Sequence, residues 1–469
     1  MKIIKKSINL IFISLSLFLV FILNVNAKNI HAITNIDSKN NDASNVTILT
    51  PGLGSNYKVW SHLEENVFGY AKESIIAKMG DKLNNKLDIY IAKANSTSYD
   101  LYYLSFNDYK NNNNETKVDT LINNDNYKLL LYSPSYVRLD IDEAYDEFHR
   151  VIDDFSEKYE DIYNYLPKYN LVAHSRGGII NILYATNHPY NISKIYSIAS
   201  PYGAINIAKP TKLLELFNLD TVVDSLKEDA AISSILDDDN NKLIRDNWNK
   251  MLNDYDPNIE YYSFAYAETI PFLLRLTESG RDENQTKKEI FDSVNLDMID
   301  CLIKFIANNQ YFIHMLYSLF TDTTDLFNYI FNTNLYDKLL NLFGFKHDEE
   351  IALEEFEHIF ENFGYDKKEN KIIILHDFLV DYNSAFGMSF DDGIEFNGFN
   401  KYLKVLDITD TYRPFASYIE PIVGHNVAVY DDDTIDFIVS NINYGNNEIN
   451  NIDDYINLKP LDYIKYIRW

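Results

Sequence analysis

Two periods of apolar and polar positions alternate along this 469-residue chain, and each change of period marks an element. Short apolar runs or period-two alternation predict strands at Val46–Thr50, Leu87–Ala92, Asp100–Ser105, Leu129–Tyr132, Tyr169–Ala173, Ile192–Ser200, Ile259–Ala267 and Lys371–Leu375. Helical spacing covers residues 64–82 and 434–442, and is clearest over Ile141, Ala144, Tyr145, Phe148, Val151, Ile152, Phe155 and Tyr159, which share one face. Residues 205–255 are predominantly helical in pattern, and so are residues 268–370, which are rich in large apolar groups such as Phe305, Phe312, Leu316, Phe320, Phe327 and Phe331. Residues 28–44 read as a flexible lead-in and Asn111–Thr116 as a surface loop.

The N-terminus has a layout of its own. Lys2, Lys5 and Lys6 precede an apolar run from Ile8 to Leu23 and then Val25-Asn26-Ala27, which predicts a signal peptide over residues 1–27, cleavage after Ala27 and secretion. The run is near the length that spans a bilayer, so an uncleaved membrane anchor is the alternative. Cys301 is the single cysteine, which excludes an intrachain disulfide, and beside Ile299, Leu302 and Phe305 it reads as a core residue. Export without disulfides fits a bacterial source better than the eukaryotic secretory route.

Composition changes the picture in two places. Tyr (37) and Phe (28) are heavily used while Gly (15) and Pro (11) are scarce, a skew that fits an AT-rich genome, so a local Tyr or Asn cluster means little. The formal net charge is −28, and loss of residues 1–27 removes three lysines and no acids, leaving −31. Such a chain is repelled by nucleic acid, and by anionic membranes at low salt.

Chemistry concentrates where the strand Tyr169–Ala173 ends. His174-Ser175-Arg176-Gly177-Gly178 follows, and helical spacing begins at once with Ile179, Ile180, Leu183 and Tyr184. A strand, a sharp turn with serine at its apex and a helix form a nucleophile elbow, in which small residues allow strand and helix backbones to pass closely. The elbow lifts the Ser175 hydroxyl clear of the sheet and places the Arg176 N–H at a helix N-terminus, where it can hold an oxyanion.

This stretch resembles the elbow of the α/β-hydrolase superfamily, in particular its bacterial lipase and esterase branch, whose motif is G-x-S-x-G; Ala173 stands in place of the first glycine. The resemblance implies a mostly parallel central sheet flanked by helices, with large helical lid and cap insertions. It places Pro51-Gly52-Leu53-Gly54-Ser55 where the family carries His-Gly-Leu or His-Gly-Phe, so the Leu53 N–H is the second oxyanion donor and Pro51 replaces the usual histidine. Pro201-Tyr202-Gly203-Ala204 is similar to the segment where the family's chain leaves the sheet to build a lid. The implied organisation is a core over 45–204, a lid segment over 205–255, a core strand over 256–267, a helical cap over 268–370 and the rest of the core over 371–469.

The family orders its triad as serine, acid, histidine. His376-Asp377-Phe378-Leu379-Val380-Asp381 through Ser384-Ala385 resembles its acid loop, which assigns Asp377 as the acid with Asp381 as the alternative. Among the ten histidines only His425 lies beyond that loop, ahead of the helix-patterned 434–442, and the resemblance makes it the base. His174 is read as bracing the turn. The implied reaction is cleavage of carboxylic, lipidic acyl, esters through an acyl-serine. A phospholipase or acyltransferase with the same triad, a peptidase or amidase on the same fold, and a non-catalytic binding protein on the scaffold are the alternatives. The apolar cap reads either as a small helical core or as a surface for acyl chains and transient membrane contact. No redox cofactor is implied. Some members hold a structural calcium near the acid and base loops, for which Asp391, Asp392 and Asp431 to Asp433 are the acidic candidates.

Overall fold

A computed structural model describes residues 46–61, 73–136, 139–202, 255–269, 363–366, 371–374, 380, 382–387, 398–407, 425, 428–442, 458–460 and 464–467. All of them belong to the unit Ser44–Trp469. The leader and lead-in lie outside the described residues, as do residues 205–254 of the helical stretch expected over 205–255 and residues 270–362 of that expected over 268–370.

The central strands are β1 (Val46–Thr50), β2 (Leu87–Ala94), β5 (Tyr127–Ser133), β6 (Tyr169–His174), β7 (Ile192–Ile198), β8 (Glu260–Thr269) and β11 (Phe399–Asp407). They lie side by side in the order β2-β5-β1-β6-β7-β8-β11, every pair parallel. β3 (Tyr99–Ser105) and β4 (Thr116–Val118) extend one edge antiparallel, beyond β2. β12 (Leu458–Pro460) pairs antiparallel with β11. β9 (Phe363–Asp366), β10 (Lys371–Ile374) and β13 (Ile464–Ile467) form an antiparallel set that joins β8 through Ile374 and Glu268. The strand at 363–366 sits at the tail of a stretch whose pattern predicts helix; four residues are too few to show a period.

The buried strands read as continuous apolar runs because helices cover both faces of the sheet. α3 (Ile141–Tyr163) and α4 (Arg176–Asn187) pack on one face, their Phe148, Val151, Phe155, Ile180 and Tyr184 meeting Val46, Ile48, Leu130 and Leu171. On the other face α1 (Ile75–Lys82) and α6 (Asp432–Asn441) bring Ile76, Met79, Ile435 and Ile438 against Leu49, Leu129, Leu131 and Val172. Alternate residues of β1, β5 and β6 thus feed opposite cores, as period-two geometry requires. α3 starts where the pattern predicts it: the Asp140 side chain accepts from the Glu143 N–H at 2.8 Å, and Asn164 ends the helix in the left-handed region at φ 60°. Of the helix expected over 64–82, α1 accounts for the second half, capped by Ser74; residues 62–72 lie outside the described residues. Two short helices, α2 (Phe106–Lys110) and α5 (Tyr382–Ala385), complete the described elements of this kind.

The chain leaves β1 for β2 and β5 on one side, then crosses to β6 on the other side of β1. Sheets of this kind hold their sites beyond the C-terminal ends of the strands that flank such a reversal. Those ends are Thr50, followed by Pro51–Gly54, and His174, followed by Ser175.

Candidate active site

Ser175 links β6 directly to α4 with φ 54° and ψ −132°, a backbone region that costs a residue with a side chain about 1–3 kcal/mol. The turn is held from both sides: Ser175 N–H donates to the Ile198 carbonyl at 2.9 Å, and Gly178 N–H donates to the Ser175 carbonyl at 3.0 Å. A methyl group at Gly177 would stand 2.6 Å from the Pro51 carbonyl oxygen and 2.7 Å from that of Thr50, so only glycine lets α4 begin this close to the end of β1. This is the elbow the sequence predicts.

His425 stands 250 residues away in the chain, and its Nε2 lies 3.0 Å from Ser175 Oγ. Both side chains are buried, with exposures of 3% and 4%. The structure therefore brings together two of the three predicted triad side chains. Asp377 and its alternative Asp381 lie outside the described residues. Next to them, α5 is docked onto β8 by Ser263 Oγ–H donating to the Ala385 carbonyl at 2.6 Å.

His174 does more than brace the turn. Its Nε2 lies 2.9 Å from the His425 carbonyl oxygen, which can only accept, so Nε2 carries the proton. The two rings sit 4.7 Å apart, tilted by 42°. Burial first, and His425 second, hold the His174 imidazole well below its ordinary range, so it is neutral. Its Nδ1 has no hydrogen-bond partner and faces the Gly52 backbone, where a methyl group would come within 3.1 Å of it. The chain beyond His425 is held separately: the Tyr266 hydroxyl, on β8, lies 3.2 Å from the Ala428 carbonyl oxygen and 2.9 Å from Thr434 Oγ1.

The predicted oxyanion donors occupy the two segments that meet at the elbow. Arg176 is the first residue of α4, where the helix dipole favours negative charge. Its guanidinium is buried and donates from Nη1 to the Leu139 carbonyl, tying the elbow to the start of α3. Leu53 sits in a turn closed by Ser55 N–H donating to the Gly52 carbonyl at 3.3 Å, with Gly54 at φ 75° as a type II turn requires. Leu53 also packs against the core that contains α3 and α4.

The residues beneath the elbow escape a motif search. Thr50, at the end of β1, donates its hydroxyl to Asn181 Oδ1 on α4 at 2.7 Å, and both are fully buried. A polar residue inside the apolar run Ile179-Ile180-Asn181-Ile182 is the signal that marks this contact. The carboxylates raised as calcium candidates have other partners. Asp431 caps α6 through the Thr434 N–H at 3.0 Å and lies 3.1 Å from Lys404 Nζ; Asp433 pairs with Lys404 and Asp432 with Lys78. Burial raises the Asp431 carboxyl, with Lys404 opposing it. Asp391 and Asp392 lie outside the described residues.

No protein-family model matches the sequence, and no curated protein resembles it significantly. Solved structures do match in part. A mature lipase from Bacillus licheniformis is 11% identical, with 51% of this chain and 72% of that one covered, at a TM-score of 0.28. The phospholipase PlaB from Legionella pneumophila is 13% identical over 53% of this chain and 41% of that one, at 0.26. A lipase-esterase related protein from Clostridium acetobutylicum is 14% identical over 48% and 76%, at 0.23. Likeness at this level assigns no residue a role. It is the parallel sheet with its reversal at β1, the strained serine between β6 and α4 and the histidine against it that make this an α/β-hydrolase fold.

Proposed function

We propose that this chain is a serine hydrolase that cleaves carboxylic esters of lipidic acyl groups through an acyl-serine intermediate. One observation carries the reading: Ser175 Oγ lies 3.0 Å from His425 Nε2, on an elbow whose backbone is strained to present it. A serine hydroxyl is a poor nucleophile until a base takes its proton during attack. His425 is that base, and it returns the proton to the leaving alcohol. Asp377, with Asp381 as the alternative, fixes the imidazole tautomer and stabilises the imidazolium. The Leu53 and Arg176 N–H groups stabilise the tetrahedral oxyanion. Removing one such donor costs on the order of a hundredfold or more in rate. Water then releases the acid; an alcohol in its place makes the same site an acyltransferase. The leader is removed after Ala27 and the enzyme works outside the cytoplasm.

Fluorophosphonate labelling of the full chain tests the reading. The folded protein is expected to be labelled, with labelling lost in Ser175→Ala and strongly slowed in His425→Ala. A folded wild type that stays unlabelled points instead to a binding protein on the scaffold. Turnover of p-nitrophenyl esters of rising chain length, beside anilides of the same acids, separates esterase from amidase. Asp377→Asn and Asp381→Asn, compared on the preferred ester, identify the acid.

A further inference from the structure

A second cluster of chemically capable side chains lies away from the elbow serine, where the middle of α3 meets the end of α4. His149 and Asp153 are one turn apart on α3, and His188 is the residue at which α4 ends. One donor atom from each lies within 4.8 Å of the other two. His149 Nε2 is 2.9 Å from Asp153 Oδ2, yet that nitrogen is buried and makes no properly directed hydrogen bond. The two imidazoles, 4.8 Å apart, are sandwiched between tyrosines: His149 stacks on Tyr145 at 7° and His188 on Tyr184 at 16°. Asn187 Nδ2 donates to the Tyr145 hydroxyl at 2.8 Å, which steadies that face of the sandwich.

We propose that His149, Asp153 and His188 form a binding site for a divalent transition-metal ion, zinc above all. Two imidazole nitrogens and one carboxylate oxygen suit zinc and its neighbours rather than calcium or magnesium, which prefer all-oxygen sets. Residues four apart on a helix present donors to one point in space, as in other helical zinc motifs. Tetrahedral zinc needs donors roughly 3.4 Å apart, so the three donors, now within 4.8 Å of one another, would have to draw together around the ion, with the fourth position left to water. Two features favour a cation here. The site lies at the C-terminal end of α4, where the helix dipole is negative. A cleft of about 500 Å³ beside it is lined by Asp146, His149, Arg150, Asp153, Asp154 and Glu157. The ion would cross-link α3 to the far end of the elbow helix.

The test uses the full-length chain stripped of metal. It is expected to bind one equivalent of Co²⁺ with the visible absorption of a low-coordinate site, to exchange it for Zn²⁺, and to melt several degrees higher with zinc bound. His149→Gln and His188→Gln should each weaken zinc by roughly tenfold or more. In the wild type, Zn²⁺ should protect His149 and His188 from diethylpyrocarbonate, read by peptide mass spectrometry, which needs no variant to fold. Three results overturn the proposal: no saturable binding by the folded chain, affinity unchanged in the two glutamine variants, or zinc that binds without protecting these histidines.

Discussion

Ser175 carries the conflict between folding and the proposed chemistry in one residue. Its φ of 54° suits glycine, yet only serine supplies the hydroxyl 3.0 Å from His425. Ser175→Ala and Ser175→Gly both lose that hydroxyl, so comparing them isolates the backbone term. The glycine variant should be the more stable by about 1 kcal/mol or more, the reverse of the usual order, as read by urea unfolding, and both should be inactive. His174 offers a second measurement. Its folded pKa is lowered below the unfolded value, so the unfolded chain binds the extra proton as pH falls. Stability is then full above the unfolded pKa of about 6.5 and declines below it, with a slope of up to about 1.4 kcal/mol per pH unit from this group. Unfolding midpoints at pH 7.5 and 5.5 should show a smaller acid loss in His174→Asn than in the wild type. An equal loss in both would mean that other groups account for it.

Among the elements, the pair β2–β5 holds the most deeply buried ion pair of the described residues. Lys128 and Asp88, 2% and 1% exposed, meet at 2.9 Å, and the ammonium also donates to Asn124 Oδ1 at 2.6 Å and to the Asn126 carbonyl at 2.9 Å. Removing one partner strands a charge, so Lys128→Met should cost about 3–5 kcal/mol. Asp88→Leu in the same chain should restore part of that loss, and chemical denaturation of the wild type and the two variants checks it. The same scale shows what a sequence can disclose. β1, β5, β6 and α3 were legible because their burial is periodic and local, and the elbow because its turn needs serine and glycines in fixed places. β11 was not: Lys401 and Lys404 interrupt its apolar run, and it is a strand because β8 and β12 pair with it and Asp431 and Asp433 neutralise Lys404. The hydrogen bond of His174 to the His425 carbonyl spans 251 positions, and no local pattern encodes it. His149 and Asp153 have helical spacing, but His188 joins them only through the packing of α4 on α3. Chain order within the resemblance pointed to His425, where geometry now places the imidazole.

For the whole molecule, charge decides which surfaces the protein can approach. A net charge of −28, or −31 without residues 1–27, spreads a negative field over the protein, and among the described residues no helix is long and apolar enough to cross a membrane. For the proposed hydrolase, adsorption to an ester-bearing surface must then come from apolar contact, and it works against repulsion wherever that surface is anionic. The Debye length shrinks from about 30 Å at 0.01 M salt to about 8 Å at 0.15 M, so salt should relieve the repulsion. With the same ester dispersed in vesicles, hydrolysis on vesicles rich in anionic lipid should rise several-fold between 10 and 150 mM salt, while hydrolysis on zwitterionic vesicles should change little. The rise should appear in the vesicle concentration for half-maximal rate and leave kcat unchanged, because the field acts on approach and the elbow chemistry lies in a buried site. Stronger adsorption to anionic vesicles at low salt would show instead that a local basic or apolar face outweighs the net charge.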